Sequence, residues 1–402
     1  MLPLKKILII GVGWEQIPLV IKAKKHGLYV IVTAWWEEKH IPADKIYKTD
    51  SRNLEELDKI ISIEQPDYIT ADESDSSMFA VAFFAEKYHF YGPKLKTQTI
   101  TNNKYLQRIC VSKTSVLQPE YQLCWNLEMV REFAARVGYP FMIKPLDNCG
   151  SIGVSKICQE SETEPLWLKA VANSYSRMCI AEKCIVGNVI TADGFSDSTG
   201  FEFIAASNKE MYPENENVAK ALYYPGTFSG SMFEKIKEAA ELTAKAVEID
   251  FGFAHLEFIL EKESNDIYFV EAANRGGGVY ISNIILEEIT GIDYCQALLQ
   301  MAMGKPVSAK CHQQYTKKAM LYFLESREAG SAVNAPVETI PQACQAIHIN
   351  RKNQTVNVKN DASAGRYGVA VLAGDTFADL VQAGAHLERA FAGYTQEYFW
   401  IK

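Results

Sequence analysis

The stretch Ala254-His-Leu-Glu-Phe-Ile-Leu260, followed by Ile267-Tyr-Phe-Val-Glu-Ala272 and then Ala273-Asn274-Arg275-Gly-Gly-Gly278, reads as two strands and a glycine-rich exit. Period-two alternation puts His255, Glu257 and Ile259 on one face of the first strand. On the second strand it groups Ile267, Phe269 and Glu271. Glu263-Ser264-Asn265 reads as the turn between them, with Asn265 able to take positive φ. A three-residue loop there pairs Lys262 with Asp266, and the same register sets Glu257 directly across from Glu271. Like charges in that position repel. A divalent cation held by carboxylate oxygens is the natural compensation; two solvated glutamates on an exposed sheet are the alternative. Asn274 and Arg275 follow at once and add an oxygen ligand and a fixed cation.

Three further stretches offer groups for an anionic ligand. In Lys144-Pro-Leu-Asp-Asn-Cys-Gly150-Ser151-Ile-Gly153 a lysine ends an apolar strand and a small-residue loop follows, whose N–H groups can fold over phosphates. In Cys179-Ile-Ala-Glu182-Lys183-Cys184-Ile185-Val-Gly187 an apolar strand ends where a flat ring could stack, with backbone groups of Lys183 and Ile185 reading its edge. Lys104, in Asn102-Asn-Lys-Tyr105, stands at a helix start, where a cation is disfavoured unless an anion offsets it. Gly11-Val-Gly13 lacks the third glycine of a dinucleotide fingerprint, and no GxxxxGK[ST] motif occurs.

The N-terminal hundred residues alternate strands with helices, which predicts βαβ units and a parallel sheet. Expected strands are Ile7–Ile10, Leu28–Thr33 and Tyr68–Thr70; expected helices run to His26, over Leu54–Ile63 and over Met78–Tyr88. Beyond the Tyr91-Gly92-Pro93 turn, helices are expected over Asn103–Ser112, Leu127–Val137, Pro165–Ser174, Phe233–Glu248 and Thr376–Phe391. Strands are expected over Tyr121–Cys124, Phe141–Lys144 and Cys179–Lys183.

The 402 residues carry 41 Lys plus Arg against 49 Asp plus Glu, a net charge of −8 that argues against a general nucleic-acid binder. At 48% hydrophobic and 22% charged the chain reads as globular with two or three domains. No apolar run is long enough for a membrane span, and no signal peptide is read at the start, so a cytoplasmic location is expected. Nine cysteines without a CxxC pair read as thiols that pack as small hydrophobes, not as a zinc or disulfide framework.

The order of these pieces resembles the ATP-grasp superfamily, in particular the branch similar to biotin carboxylase and carbamoyl-phosphate synthetase. "KKILIIGVGW" and "PDYITADESD" look like its pre-ATP-grasp domain, "NNKYLQR" like the opening of the grasp module, and "GYPFMIKPLDNCGSIGV" like its phosphate strand and glycine loop. "CIAEKCIVG" looks like its adenine hinge, and "GFAHLEFIL" with "IYFVEAANRGGG" like its metal strands. The resemblance implies an α/β ATP-grasp fold: a Rossmann-like pre-ATP-grasp domain over 1–93, an α+β lid subdomain over 94–190, a catalytic subdomain over 191–307 and a mixed α/β lobe over 308–402.

By the same resemblance Lys104 and Lys144 hold ATP phosphates, and Gly150, Ser151 and Gly153 form the lid. Glu182, Lys183 and Ile185 line the adenine and ribose pocket. Glu257 and Glu271 hold Mg²⁺ or Mn²⁺, with Asn274 as a third ligand, and Arg275 stabilises a phosphorylated intermediate. Two departures stand out. Val189 takes the place of a ribose-binding acid. Ala273 occupies the asparagine slot of Glu-x-Asn-x-Arg, with Asn274 displaced by one step, which in a strand turns it to the other face. The expected activity is ATP-dependent ligation of a small carboxylic acid to an amine through an acyl phosphate. Amino acids are among the candidate substrates, and bicarbonate activation or a non-catalytic ATP-binding protein are the alternatives. Glu73, beside Asp72 and Asp75, and His255 are candidate substrate contacts. No nucleic-acid or membrane partner is expected, and a homodimer is compatible with the reading.

Overall fold

The computed structural model describes residues 4–35, 41–212, 215–310, 314–325, 335–350, 366–394 and 396–402. The apolar runs near the start form a parallel sheet of β1 (Lys6–Ile9), β2 (Tyr29–Ala34), β3 (Lys45–Lys48) and β4 (Tyr68–Thr70), ordered β3-β2-β1-β4. The helices Ile17–Lys25, Leu54–Glu64 and Asp75–Tyr88 lie between or after these strands. Strand order reverses between β1 and β4, so a crevice opens beyond their C-terminal ends. Glu15 follows β1 there, and Asp72 and Glu73 follow β4.

A second, antiparallel sheet, ordered β5-β8-β6-β7, joins β5 (Tyr121–Cys124), β6 (Phe141–Pro145), β7 (Ser155–Ile157) and β8 (Cys179–Lys183). The helix Leu127–Val137 covers it with Val130 and Phe133 and lies where periodicity predicts. The neighbouring helix spans Glu160–Ala172, not Pro165–Ser174. Pro165 was read as its first residue, but it lies inside the helix; the acidic first turn, Glu160 and Glu162, marks the true start.

The largest sheet is antiparallel, with order β13-β12-β9-β10-β11-β14-β16-β15-β17. Its members are β9 (Gly187–Asp197), β10 (Gly200–Tyr212), β11 (Asn215–Tyr224), β12 (Gly252–Glu261), β13 (Ile267–Ala273), β14 (Lys318–Glu325), β15 (Cys344–Ile349), β16 (Arg366–Gly374) and β17 (Tyr398–Ile401). The β11–β14 pairing joins strands from either side of residues 307 and 308 in this one sheet. One face packs on the helix Gly230–Ala246 through Phe203, Leu256, Phe258 and Phe269. On the other, Phe195 and Phe253 pack on Tyr294 of the helix Tyr294–Ala302, in one core with the N-terminal sheet.

The β12–β13 hairpin reaches the expected pairing by a different route. Glu261 N–H donates to the Asp266 carbonyl, so the loop is the four residues Lys262 to Asn265, not three. Asn265 takes φ 58° as expected. Phe258 pairs with Phe269, but Glu257 pairs with Glu271, leaving Val270 as an extra residue, a β-bulge. The bulge undoes the slip from the longer loop. It also overturns one expectation: Phe269 and Glu271 do not share a face. Phe269 is fully buried in the core, and Glu271 turns to the side of Glu257.

The helix Lys104–Val111 starts one residue after Asn103, whose Oδ1 accepts from the N–H groups of Tyr105 and Leu106 at 3.1 Å each. This cap fixes where Lys104 emerges. Asn103→Ala is expected to lower unfolding free energy in urea by about 1 kcal/mol, whereas the same change at the exposed, uncapping Lys113 should leave it within about 0.5 kcal/mol.

Candidate active site

The site is built on the face of β12, β9, β10 and β13 that looks away from the Phe258–Phe269 core. Glu257 and Glu271 are directly opposed, as alternation predicts. Each has its own lysine. Lys104 Nζ donates to Glu271 Oε1 at 2.8 Å and to the Asn148 carbonyl at 2.6 Å. Lys209 Nζ, from β10, donates to Glu257 Oε1 at 2.5 Å. Burial works against the charge on Glu257, but Lys209 and His255 hold its carboxyl well below the usual carboxylate range. Burial likewise opposes the charge on Lys104, and Glu271 beside it raises the ammonium pKa instead.

A buried polar row continues along the same face. His255 Nδ1 lies 2.7 Å from Asp193 Oδ1, and Tyr224 Oη donates to Asp193 Oδ2 at 2.7 Å. Thr191 then joins Tyr224 at 3.0 Å and Ser207 at 2.6 Å. His255 Nε2 points toward Glu257 Oε1 at 3.8 Å. Burial lowers the pKa of His255, but Asp193 and Glu257 outweigh it and raise the imidazole above its usual value.

A second buried junction joins the lid sheet to this one. Glu182 Oε1 accepts from Arg108 Nε at 3.0 Å and Nη2 at 2.6 Å, while Oε2 accepts from Lys144 Nζ at 2.6 Å. Arg108 Nη2 also donates to the carbonyl of the bulge residue Val270 at 2.9 Å, and the guanidinium lies 4.8 Å from the Phe269 ring centre. Glu182 was expected to line a nucleotide pocket; its carboxylate is instead engaged by Arg108 and Lys144, and the side chain is 2% exposed. Lys183 is exposed, and its N–H donates to the Glu120 carbonyl, so that N–H is not available to read a ring edge. Ile185 is half-buried.

The loop after Lys144 takes left-handed backbone at Gly150, Ser151 and Gly153, with φ of 65°, 59° and 76°. At Gly153 a Cβ would come within 2.7 Å of Asn173 Cβ, so glycine is required there. Gly150 and Ser151 are exposed, as a loop that folds over a ligand requires.

Arg275 extends from the end of β13 to Asp75, with Nε 3.2 Å from Oδ1, and also donates to the Gly276 carbonyl at 2.9 Å. Asp72 accepts from Gly276 N–H and from Ser282 Oγ, each at 2.7 Å, and Glu73 Oε1 accepts from the same hydroxyl at 2.9 Å. Glu73 Oε2 is buried and has no hydrogen-bond partner. Burial, then the charges of Glu15 and Asp72, push the Glu73 carboxyl well above its usual value.

Asn274 does not join the carboxylate pair. Its Nδ2 donates to the Phe251 and Phe253 carbonyls at 2.9 Å each, and its Oδ1 accepts from Gln98 at 3.0 Å. The one-residue step past Ala273 turns it inward, where it ties β13 to the helix Leu95–Thr101. Sequence reading also missed Lys209, Asp193 and Arg108. The alternation Thr191-Ala-Asp193 in an otherwise apolar strand carried the signal for Asp193; nothing local marked Arg108 or Lys209.

Among the described residues no three His, Cys, Asp or Glu side chains converge as a ready-made metal cage. Two opposed carboxylates nonetheless suit a hard cation that arrives with phosphate oxygens and keeps part of its shell. Among the described residues no helix is long and apolar enough to cross a membrane.

Residues 137–283 match the family model of the ATP-grasp domain. The chain is 23% identical over 313 residues to the formate-dependent phosphoribosylglycinamide formyltransferase of Wigglesworthia glossinidia brevipalpis, covering 75% of this chain and 77% of that protein. It is 24% identical over 310 residues to the enzyme of the same name from Methanocaldococcus jannaschii, covering 76% and 78%. Among solved structures, L-amino acid ligase from Bacillus licheniformis superposes with a TM-score of 0.82 at 16% identity over 99% of both chains. Phosphoribosylglycinamide synthetase from Anaerococcus prevotii superposes at 0.73 with 18% identity over 100% of both. The fold is the ATP-grasp fold, and residues 137–283 carry the match to its domain.

The Glu182 junction has a measurable pH signature. Despite burial, Arg108 and Lys144 lower its carboxyl from 4.5 to about 2. The stabilisation this gives is fully present above pH 4.5 and is lost as pH falls toward about 2. Glu182→Gln leaves two buried cations unpaired and is expected to cost about 3–5 kcal/mol at pH 7. In urea unfolding the gap to wild type should narrow steadily below pH 4.5. A gap independent of pH would refute this account.

Proposed function

We propose that the chain is an ATP-dependent carboxylate–amine ligase. The observation that carries this reading is the Glu257–Glu271 pair, matched by Lys104 and Lys209 and flanked by Arg275, with no protein nucleophile needed at its centre. A substrate carboxylate oxygen attacks the γ-phosphorus of ATP, the bond between that phosphorus and the β–γ bridging oxygen breaks, and ADP leaves. The amine nitrogen then attacks the carbonyl carbon of the acyl phosphate and loses a proton. The carbon–oxygen bond to phosphate breaks, giving an amide and inorganic phosphate.

Such chemistry needs positioning and charge neutralisation above all. Magnesium, held by Glu257 and Glu271, supplies positive charge to the phosphate oxygens when bound. In this reading Lys104 and Lys144 are the cations for the phosphates, and Gly150, Ser151 and Gly153 are the loop that would close over them. Arg275 is the fixed guanidinium for the acyl phosphate. Glu73, with one buried carboxylate oxygen unpartnered, is the group suited to receive the amine, at the crevice where ligands gather in parallel sheets. The relatives' names support this class of substrate: one couples a formate-dependent reaction to phosphoribosylglycinamide, the other ligates L-amino acids.

The test is ADP release over pairs of amino acids and small carboxylic acids, with formate and bicarbonate as separate arms and products identified by mass. Glu271→Ala is expected to lower the rate on the order of 100-fold or more. A Glu271→Ala protein that still made ADP at near wild-type rate would sink the assignment. ADP released with bicarbonate alone would favour a carboxylase. Asn274→Ala is expected to destabilise the fold while leaving nucleotide-dependent Mn²⁺ binding in place, because its amide holds backbone and not the cation.

A further inference from the structure

We propose that His255 Nε2 is the third protein ligand of the nucleotide-linked cation, giving this enzyme a mixed nitrogen–oxygen metal site. The proposal rests on the ATP-and-metal reading above and names the ligand set of that site.

Four observations carry it. Glu271 and Ala273 share one face of β13, so the position two residues past Glu271 faces the site with a methyl group and offers no oxygen. Asn274, one step on, is engaged by Gln98 and two carbonyls. The residue paired directly across from Ala273 is His255. Its imidazole is on the same face as Glu257 and fills the side of the pair that a β13 side chain would otherwise have supplied.

The ring is also oriented as a metal ligand is. Metal-binding imidazoles nearly always give their second nitrogen to a carboxylate or carbonyl, which fixes tautomer and direction. Here Nδ1 meets Asp193 at 2.7 Å. Asp193 is itself 1% exposed and held by Tyr224, so it cannot swing away. That leaves Nε2 directed at Glu257 Oε1, 3.8 Å away. Two donors each about 2.1 Å from a common ion span such a distance without moving either backbone. Lys209 holds Glu257 and Lys104 holds Glu271, so the three donors do not converge as a closed cage. Glu257 and Glu271 would pass from lysine to the cation when it is bound with phosphate, and Lys209 and Lys104 would pair with the phosphates.

Nitrogen donors favour transition metals over Mg²⁺ more than oxygen donors do. The decisive measurement is pulsed electron paramagnetic resonance on the full chain loaded with Mn²⁺ and ADP. One sample is unlabelled and one carries ¹⁵N only in its histidine rings. The expected result is ³¹P coupling from the nucleotide together with a nitrogen coupling that changes from ¹⁴N to ¹⁵N on labelling. Unlabelled adenine cannot produce that change, and no variant has to fold for it to be seen. His255→Gln in the labelled background is expected to remove the ¹⁵N signal, and Asp193→Asn to weaken Mn²⁺ binding about 10-fold. Phosphorus coupling without any histidine nitrogen overturns the proposal and leaves the ATP-and-metal reading standing. Absence of nucleotide-dependent Mn²⁺ binding overturns both. A ¹⁵N signal that persists in His255→Gln overturns the assignment to this residue.

Discussion

Two carboxylates are held face to face across one strand pair, and much of the structure is organised around keeping them there. Glu257 and Glu271 would repel if left alone. The chain answers with one lysine each, drawn from different parts of the sequence: Lys104 from the helix Lys104–Val111, Lys209 from β10. Neither lysine is near its glutamate in sequence, so the pair can be charge-neutral only when the lid half and the large sheet are packed together. A local electrostatic problem thereby becomes a long-range structural tie.

The bulge at Val270 is the hinge of this arrangement. It brings Glu271 opposite Glu257 while Phe269 stays in the core. Its carbonyl is then held by Arg108, which also holds Glu182, which holds Lys144. One buried carboxylate with two cations therefore links the hairpin carrying the acids to the strand preceding the glycine loop. Removing charge at Glu182 alone leaves both cations stranded, which is why such a junction is costly to break even where the intact pair contributes little net stability.

The sequence was most legible where periodicity is strict and partners are close. The helix Leu127–Val137 and the strands Tyr121–Cys124 and Cys179–Lys183 lie where alternation and 3.6-residue spacing put them. The Glu257–Glu271 pairing was also readable, although the loop length used to reach it was one residue short and the bulge, invisible to alternation, restored the register. The burial of Asn274 follows from strand geometry, once Ala273 is seen to occupy the outward position. Lys209, Arg108 and Asp193 were not assigned, for a physical reason. Each acts through a partner dozens of residues away: the order of strands in the nine-stranded sheet brings Lys209 and Asp193 to theirs, and the packing of the helix Lys104–Val111 brings Arg108 to Glu182. Likewise, nothing in the apolar run Cys179-Ile-Ala181 that precedes Glu182 says that an arginine from another helix waits there.

On the proposed ATP-and-metal reading, the lysine-bound carboxylates have a consequence for how nucleotide and cation would enter. A cation alone has to expel two ammonium groups from Glu257 and Glu271 with no anion to take them up. Phosphate alone can draw the lysines away, but it leaves the opposed glutamates uncompensated in a half-buried face. Arriving together, the two exchange partners without stranding a charge: carboxylates pass from lysine to cation, and lysines pass from carboxylate to phosphate. The free energy of each binding event is therefore contingent on the other, a reciprocal coupling that linkage requires to be equal in both directions. Asp193 enters the same exchange through His255, since a ring already fixed by a buried carboxylate costs little further ordering when it meets the metal.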